Sequence, residues 1–217
     1  MYMFKKLTAM LTVGCMMALC LTPGGYAQER IGSAPISADA INTKGKDGTI
    51  SFEISGDGTM TISGNAAIAD YDVLSGTSAP WTKYSPTKIV IQEGITGVGS
   101  EAFSGMTSIA SVSIPSSVKY IGEYAFHNCS SLQQITIPNS ISKINSSTFE
   151  NCTSLTSITI PDSVTLIDEY AFNRCSSLQN VTIPASVSRI NRCAFNKCTE
   201  LKSVTIQNPS CVIYNEG

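Results

Sequence analysis

Apolar and polar residues alternate in short runs that recur along most of the chain. In residues 132–137 the apolar positions are Leu132, Ile135 and Ile137. This spacing predicts a short strand in which Ile135 and Ile137 face inward and the residues between them face outward. Pro138 follows and has no N–H to donate, so strand pairing is expected to end there.

The pattern returns every 23 residues, without insertion, in copies that begin at residues 91, 114, 137, 160 and 183. One copy cannot bury its apolar side alone, whereas stacked copies can, so the repeat predicts a solenoid. Stacking predicts interior columns made of equivalent residues from each copy. The columns are Phe103, Phe126, Phe149, Phe172 and Phe195, and Ile109, Leu132, Leu155, Leu178 and Leu201.

A third column is predicted to adopt a left-handed backbone. Gly, Asn and Asp are the residues for which a positive φ is least costly, and only they occupy this position. Its members are Gly99, Gly122, Asn145, Asp168 and Asn191.

The repeat, L-x-x-I-x-I-P-x-x-[VI]-x-x-I-x-x-x-A-F-x-x-C, resembles the BspA-like, or Treponema pallidum-type, leucine-rich repeat of bacterial surface proteins. The resemblance covers residues 91–205 and departs from the family pattern at Met106 and Thr148. It implies a repeat solenoid: a right-handed β-solenoid-like coil with a parallel β-sheet on its concave face and little helix. It also implies binding on that face and attachment to host proteins or other cells.

Residues 1–27 have the organisation of a secretory signal peptide. Lys5 and Lys6 precede an apolar run, and small residues lead to a predicted cleavage site after Ala27. The alternatives are a retained membrane anchor and lipidation at Cys15, which follows Gly14; Cys20 follows Leu19 and lacks the small preceding residue that lipidation needs. Cleavage would leave an exported mature chain, secreted or at the cell surface, for which we expect no transmembrane segment.

Beyond the leader, the sequence predicts a flexible linker at 28–47, a β-rich N-terminal cap at 48–88, the solenoid at 89–206 and a tail at 207–217. The cap prediction rests on Asp57-Gly58, a hairpin signal between two alternating segments. Trp81 is expected to pack over the first coil, with sugar stacking as the less favoured alternative.

Charged residues make up 14% of the chain and the net charge is -2. The lysines and arginines do not cluster into a basic stripe, so we do not expect the protein to bind nucleic acid.

Four cysteines, one in each of the last four copies, form another column: Cys129, Cys152, Cys175 and Cys198. Stacked side chains point the same way and cannot converge into disulfides, so buried free thiols are expected. Cys193 and Cys211 lie outside this column and are either bridged to each other or separate thiols.

Candidate catalytic chemistry is sparse. His127 is the only histidine, and its equivalents in later copies are polar turn residues. No metal-ligand spacing, phosphate-binding loop or opposed pair of carboxylates is evident. The sequence therefore predicts a protein that is not an enzyme and that has no catalytic residue, metal or cofactor.

Polar residues between the inward positions of the strands should form the ligand-binding surface. This hydroxyl-and-amide strip suits a protein or glycan ligand, although its small area predicts weak binding. The alternative function is a structural, self-associating envelope component, and we expect a monomer or weak self-association. The predicted ligand-binding residues are Thr136, Thr159, Thr182, Thr205, Gln134 and Gln179.

Overall fold

The computed structural model of the protein describes residues 43–214. The predicted signal peptide and its cleavage site, most of the predicted linker and the last three residues lie outside this range. Within it the regular structure consists of strands: β1 (Thr43–Asp47), β2 (Ile50–Ile54), β3 (Thr59–Ser63), β4 (Lys88–Ile91), β5 (Ser111–Ser113), β6 (Gln134–Thr136), β7 (Lys143–Ile144), β8 (Leu166–Ile167), β9 (Asn180–Ile183), β10 (Arg189–Ile190), β11 (Ser203–Ile206) and β12 (Val212–Ile213).

The strands confirm the predicted β-solenoid of about five turns. β4, β5 and β6 pair in parallel, each one coil after the last. The coil that follows carries an isolated bridge from Ser157 to Asn180, and β9 pairs in parallel with β11. A second sheet, ordered β12-β10-β8-β7, runs along another side of the coils.

The N-terminal cap extends the first sheet. β1, β2 and β3 are antiparallel, but β3 pairs in parallel with β4, so the cap and the solenoid share one six-stranded sheet. The turn between β2 and β3 is held by Asp57, whose carboxylate accepts hydrogen bonds from the Ser55 hydroxyl at 2.6 Å and the Thr59 N–H at 3.0 Å.

The N-terminal boundary of this sheet differs from the sequence prediction. The linker predicted for residues 28–47 overlaps β1, which pairs with β2 along its full length. Opposite Phe52, β1 carries Gly45, and a Cβ added there would lie 2.3 Å from the Phe52 ring. The glycine therefore lets β1 lie over an aromatic side chain.

The predicted interior columns are confirmed. Neighbouring rings of the phenylalanine column stack with centroids 5.2–5.6 Å apart. At the N-terminal end Trp81 continues the stack, with its ring 5.7 Å from Phe103, and its Nε1–H donates to the carbonyl oxygen of Ala102 at 2.8 Å. Trp81 is fully buried, which leaves no exposed ring for a sugar to stack on.

The prediction of a left-handed column was wrong in its register. Positive φ values occur two and six residues later, at positions occupied mostly by residues other than glycine. The non-glycine residues with positive φ are Glu101, Tyr124, Asn128, Ser147, Asn151, Tyr170, Arg174, Cys193 and Lys197.

The residues of the predicted left-handed column instead lie where one coil contacts the next. A Cβ on Gly122 would lie 2.4 Å from the backbone nitrogen of Ser100. One coil later Asn145 occupies the equivalent position, and its Nδ2 donates to the carbonyl oxygen of Ile121 at 2.6 Å. Gly122 therefore has no room for a side chain against the coil before it, and at residue 145 a side-chain amide bridges the two coils.

The six cysteines in the described range are all free thiols. Cys129, Cys152 and Cys175 are buried, as predicted, but Cys198, in the last copy, is only half-buried. Cys193 and Cys211 are separate and half-buried, without a bridge between them.

The C-terminal end of the solenoid is open. β12 pairs in parallel with β10, so the predicted tail contributes a last short strand. Nothing in the described chain covers the coil beyond it, and Val204, Val212, Ile213 and Tyr214 are 40–52% exposed.

Candidate ligand-binding face

The predicted binding residues lie on the outward side of the first sheet and of the separate β9–β11 sheet that follows it along the coils, and we call this surface the strand face. It comprises the outward side chains of β1–β6, of residues 156–159, and of β9 and β11 with residues 179 and 202 just before them. Inward positions of these strands, such as Ile135 and Ile158, are buried, while Thr136 and Thr159 between their inward neighbours are exposed.

The predicted residues follow three parallel rows, with the four threonines in one, Gln134 in the next and Gln179, one residue before β9, in the third. Thr182 and Thr205 are paired across β9 and β11, and Thr136 pairs with Ser113 across β6 and β5. Gln134 lies in the neighbouring row, opposite Ser111. All six predicted residues are exposed: Thr136, Thr159, Thr182, Thr205, Gln134 and Gln179.

The cap lengthens these rows, a feature that the sequence pattern did not predict. Val90 of β4 pairs with Thr61 of β3, Thr61 with Glu53 of β2, and Glu53 with Lys44 of β1. The threonine row therefore continues onto the hairpin. The alternation of apolar and polar residues within β2 and β3 already indicated which of their side chains face outward. Nothing in the sequence of either strand indicated that β3 pairs in parallel with β4.

A shallow cavity of about 540 Å³ lies on the cap end of the strand face. Such a volume falls in the range of small-ligand sites, about 300–1,000 Å³. Gly45 and the Phe52 ring form part of its floor, and its polar lining residues are Lys44, Lys46, Ser51, Glu53, Thr61, Ser63 and Gln92.

The strand face carries more basic than acidic side chains. Glu53 forms an ion pair with Lys44 at 3.2 Å. Lys46 faces the same cavity, Lys88 projects from β4, and Lys202 lies at the far end beside β11. Of the described side chains that project from this face, Glu53 is the only acidic one, so the face is positive although the whole chain has a net charge of -2.

The other residues considered for catalytic or metal-binding chemistry lie outside the strand face. The Nδ1 of His127 is 3.4 Å from the Ser104 hydroxyl and 3.3 Å from Nδ2 of Asn128, and its ring contacts Tyr124 edge-on. Among residues 43–214 no cluster of three His, Cys, Asp or Glu side chains is placed to hold a metal ion. Nor does any helix in this range have the length and apolar character needed to cross a bilayer.

A second, smaller cavity of about 290 Å³ lies near the C-terminal end, lined by Glu169, Arg189, Asn191, Arg192 and Tyr214. Arg192 donates to the Tyr170 hydroxyl at 2.9 Å and lies over its ring. The guanidinium is therefore engaged within the protein.

Comparison with solved structures finds bacterial leucine-rich-repeat proteins. A Treponema pallidum leucine-rich-repeat protein is 29% identical, with a TM-score of 0.56 over 75% of this chain and 71% of its own. A leucine-rich cell surface protein of Faecalibacterium prausnitzii is 29% identical, with a TM-score of 0.50 over 77% of this chain. A leucine-rich-repeat protein of Eubacterium ventriosum, 22% identical with a TM-score of 0.53, shares the fold over 77% of this chain. The present chain spans 55% and 60% of these last two proteins.

No match is found among curated proteins. The pattern of the BspA type leucine-rich-repeat region matches residues 81–202 in six copies. It therefore starts ten residues before the first copy visible in the sequence, at Trp81, which continues the phenylalanine stack. The match covers more than half of the chain, and this protein is a member of the BspA-type leucine-rich-repeat family.

Proposed function

We propose that this protein is an exported, cell-surface or secreted binding protein that attaches to a protein or glycan of a host or neighbouring cell through its strand face. The continuous polar face, which runs from the cap hairpin to the last coil, carries this proposal. The leader pattern of residues 1–27 supports export, and the similar Faecalibacterium prausnitzii protein is described as a cell surface protein.

The dimensions of the face favour an elongated ligand. Nine strand positions at about 4.8 Å spacing give a length of about 38 Å, and three or four residues give a width of about 10 Å. The resulting area, about 400 Å², is half of the roughly 800 Å² that each partner contributes to a stable protein interface. A linear chain lying across the strands uses such a surface better than a globular partner does.

The test is a binding array of host matrix proteins and glycans, probed with the protein expressed from its full-length sequence. Two double variants change the middle of the face, Thr159→Arg/Thr182→Arg and Thr159→Glu/Thr182→Glu. A ligand on this face meets the new side chains directly, so we expect its binding to change in both variants.

Matched controls place the same charges beside the second sheet, at the exposed residues Ser142 and Thr165. They should bind as the wild type does. Equal binding by the wild type and both threonine variants would exclude the strand face as the binding site.

The proposed role is binding without catalysis. The fold is typical of non-enzymatic binding proteins, and the described carboxylates are not arranged in an opposed pair across the strand face, where Glu53 is engaged by Lys44. Incubation with a broad glycan panel should give no hydrolysis products. Hydrolysis that a single carboxylate substitution abolishes would contradict this role.

The open C-terminal end favours a second candidate function, that of a structural component that self-associates. A second copy docked there would cover exposed apolar residues of the last strands, and the cap blocks equivalent stacking at the other end. Light scattering across a concentration series separates the two roles.

A strict monomer contradicts self-association. If the mass rises with concentration, Val204→Lys/Ile213→Lys should restore the monomer, because lysine does not desolvate readily. The matched variant Val73→Lys/Leu74→Lys changes exposed apolar residues in the cap region and should leave the association unchanged.

A further inference from the structure

We infer that the strand face binds an acidic polysaccharide, with its negatively charged groups held first at the cap end by Lys46 and Lys88. This inference rests on the proposed function, because it assigns a ligand class to the same face. It is carried by the charge of the face, by the cavity on the cap and by the spacing of the lysines.

The cavity on the cap offers an anion-binding set of groups. Glu53 is the one carboxylate in the cavity lining and forms its ion pair with Lys44, so Lys46 faces the cavity outside that pair. The hydroxyls of Ser51 and Ser63 lie beside it, since these residues pair across β2 and β3 in register with Lys46. An ammonium group together with hydroxyl donors matches the oxygens of a carboxylate or a sulfate.

The lysines are too far apart for one small anion. β1 and β4 are separated by three strand spacings, about 14 Å, and Lys46 is level with residue 92, four residues or about 13 Å along the strand from Lys88. Lys46 and Lys88 therefore stand about 20 Å apart on the sheet. Lys202 lies a further five coils along, about 24 Å from Lys88. A ligand that reaches all three needs repeated negative charges along an extended chain.

The rest of the face suits sugar hydroxyls better than peptide side chains. Threonine hydroxyls and the amides of Gln134, Gln179 and Asn180 line it, and no described outward residue of these strands is aromatic. Protein partners usually rely on aromatic or arginine anchors seated in pockets, which this face does not provide. The backbone groups of its inner strands are already paired within the sheet, so a peptide cannot add to them as a further strand.

The acidic residues nearest in sequence are engaged elsewhere. Asp57, in the turn between β2 and β3, accepts hydrogen bonds from Ser55 and Thr59, which lower its pKa. Tyr71 donates its hydroxyl hydrogen to Asp47, whose strand position faces inward. Both carboxylates keep their negative charge, but neither side chain projects from the strand face.

The experiment compares heparin, a polyuronate and neutral dextran as immobilised probes for the protein expressed from its full-length sequence. Lys46→Glu/Lys88→Glu tests the proposed contacts. Lys119→Glu/Lys197→Glu changes the net charge equally at exposed positions away from the strand face. Circular dichroism and a thermal melt establish that each variant is folded, and Lys46→Gln/Lys88→Gln provides a milder pair.

We expect the wild type to bind at least one of the two acidic probes and not dextran, and to elute as salt screens the charges. Lys46→Glu/Lys88→Glu should lose about tenfold in affinity, and the control pair should change little. Thr159→Arg/Thr182→Arg should strengthen binding, and Thr159→Glu/Thr182→Glu should weaken it.

Three results would overturn the inference: no binding to either acidic probe, equal binding to dextran, or an equal loss in the control pair. Its failure is separable from that of the proposed function. If neither acidic probe binds but another array ligand responds to the threonine variants, the strand face is still the binding site and only the ligand class is wrong.

Discussion

The thiol of Cys152 donates a hydrogen bond to the carbonyl oxygen of Phe126, one coil earlier, with the sulfur and oxygen 3.2 Å apart. Each of the other three cysteines of this column makes the same contact with the phenylalanine 26 residues before it, at 3.1–3.2 Å. The column therefore connects successive coils through weak donors inside the core. Each thiol is directed at a backbone carbonyl and the stacked side chains point the same way, so they do not converge as a disulfide requires.

Thiol labelling should follow this arrangement. Burial raises the pKa of Cys129 to about 12 and raises that of Cys152, so neither thiol forms the reactive thiolate at neutral pH. In the native protein a thiol reagent should modify Cys193 and Cys211 first and reach Cys152 only on unfolding. Cys193→Ser/Cys211→Ser should remove the fast phase. Native-state labelling of Cys152 at the rate of Cys193 would contradict the burial of the column.

Phe149 should be among the residues most important for stability. Its ring is fully buried between those of Phe126 and Phe172, at 5.6 and 5.4 Å. Phe149→Ala should lower the free energy of unfolding by about 3–5 kcal/mol in chemical denaturation. Phe195→Ala is the matched variant and should cost less, because Phe195 is only partly buried at the open end. Equal losses would show that the open end is covered in solution.

Trp81 joins the cap to the first coil. Its ring lies edge-on to Phe52 at 5.6 Å, and its Nε1–H donates to Ala102. Trp81→Phe keeps an aromatic ring but leaves that carbonyl without this donor, so we expect a loss of about 1–2 kcal/mol. Because Trp81 is the only tryptophan, circular dichroism must report the melt of the variant. An unchanged melting temperature would mean that the hydrogen bond is replaced by water.

Gly122 should not tolerate a side chain. The Cβ of Gly122→Ala would lie 2.4 Å from a backbone atom of Ser100, which a side-chain rotation cannot relieve. We expect destabilisation of about 1–3 kcal/mol, the usual cost of overpacking. Asn145→Ala, at the equivalent position one coil later, loses only the amide bridge to Ile121 and should cost about 1 kcal/mol. The reverse order would contradict the backbone clash expected at residue 122.

Asp168 should make stability depend on acid pH. Burial acts to raise its pKa, but hydrogen bonds from Lys143 and Asn191 outweigh it, so the pKa is lowered. A carboxyl whose pKa is lower in the folded state stabilises the fold above its unfolded pKa of about 3.9, and this contribution disappears as the pH falls through the folded value.

The melting temperature of Asp168→Asn should therefore lie below that of the wild type at neutral pH, and the difference should shrink below about pH 4. Asp162→Asn, at an exposed turn position, serves as the control and should follow the wild type at every pH. A constant difference between Asp168→Asn and the wild type would indicate that the aspartate contributes through packing alone.

The fold could be predicted from the sequence because each copy repeats the same pattern of apolar and polar residues. Equivalent residues such as Phe126 and Phe149 must lie one above the other once the coils stack, and their burial follows from a fixed spacing. The outward orientation of Thr136, Thr159, Thr182 and Thr205 was predictable for the same reason, since side chains alternate along a strand.

Other features depended on contacts between segments distant in sequence. Because β3 pairs in parallel with β4, the cap extends the strand face. The residue pattern of neither strand indicates that the two pair in parallel. Gly122 is needed because of the backbone of Ser100 in the coil before it, whereas the sequence suggested a positive φ. Periodic burial is encoded locally and repeated, so the sequence alone determined the coil and its core. The distance between coils and the charges brought onto one face depend on the assembled backbone, and only the tertiary structure decided them.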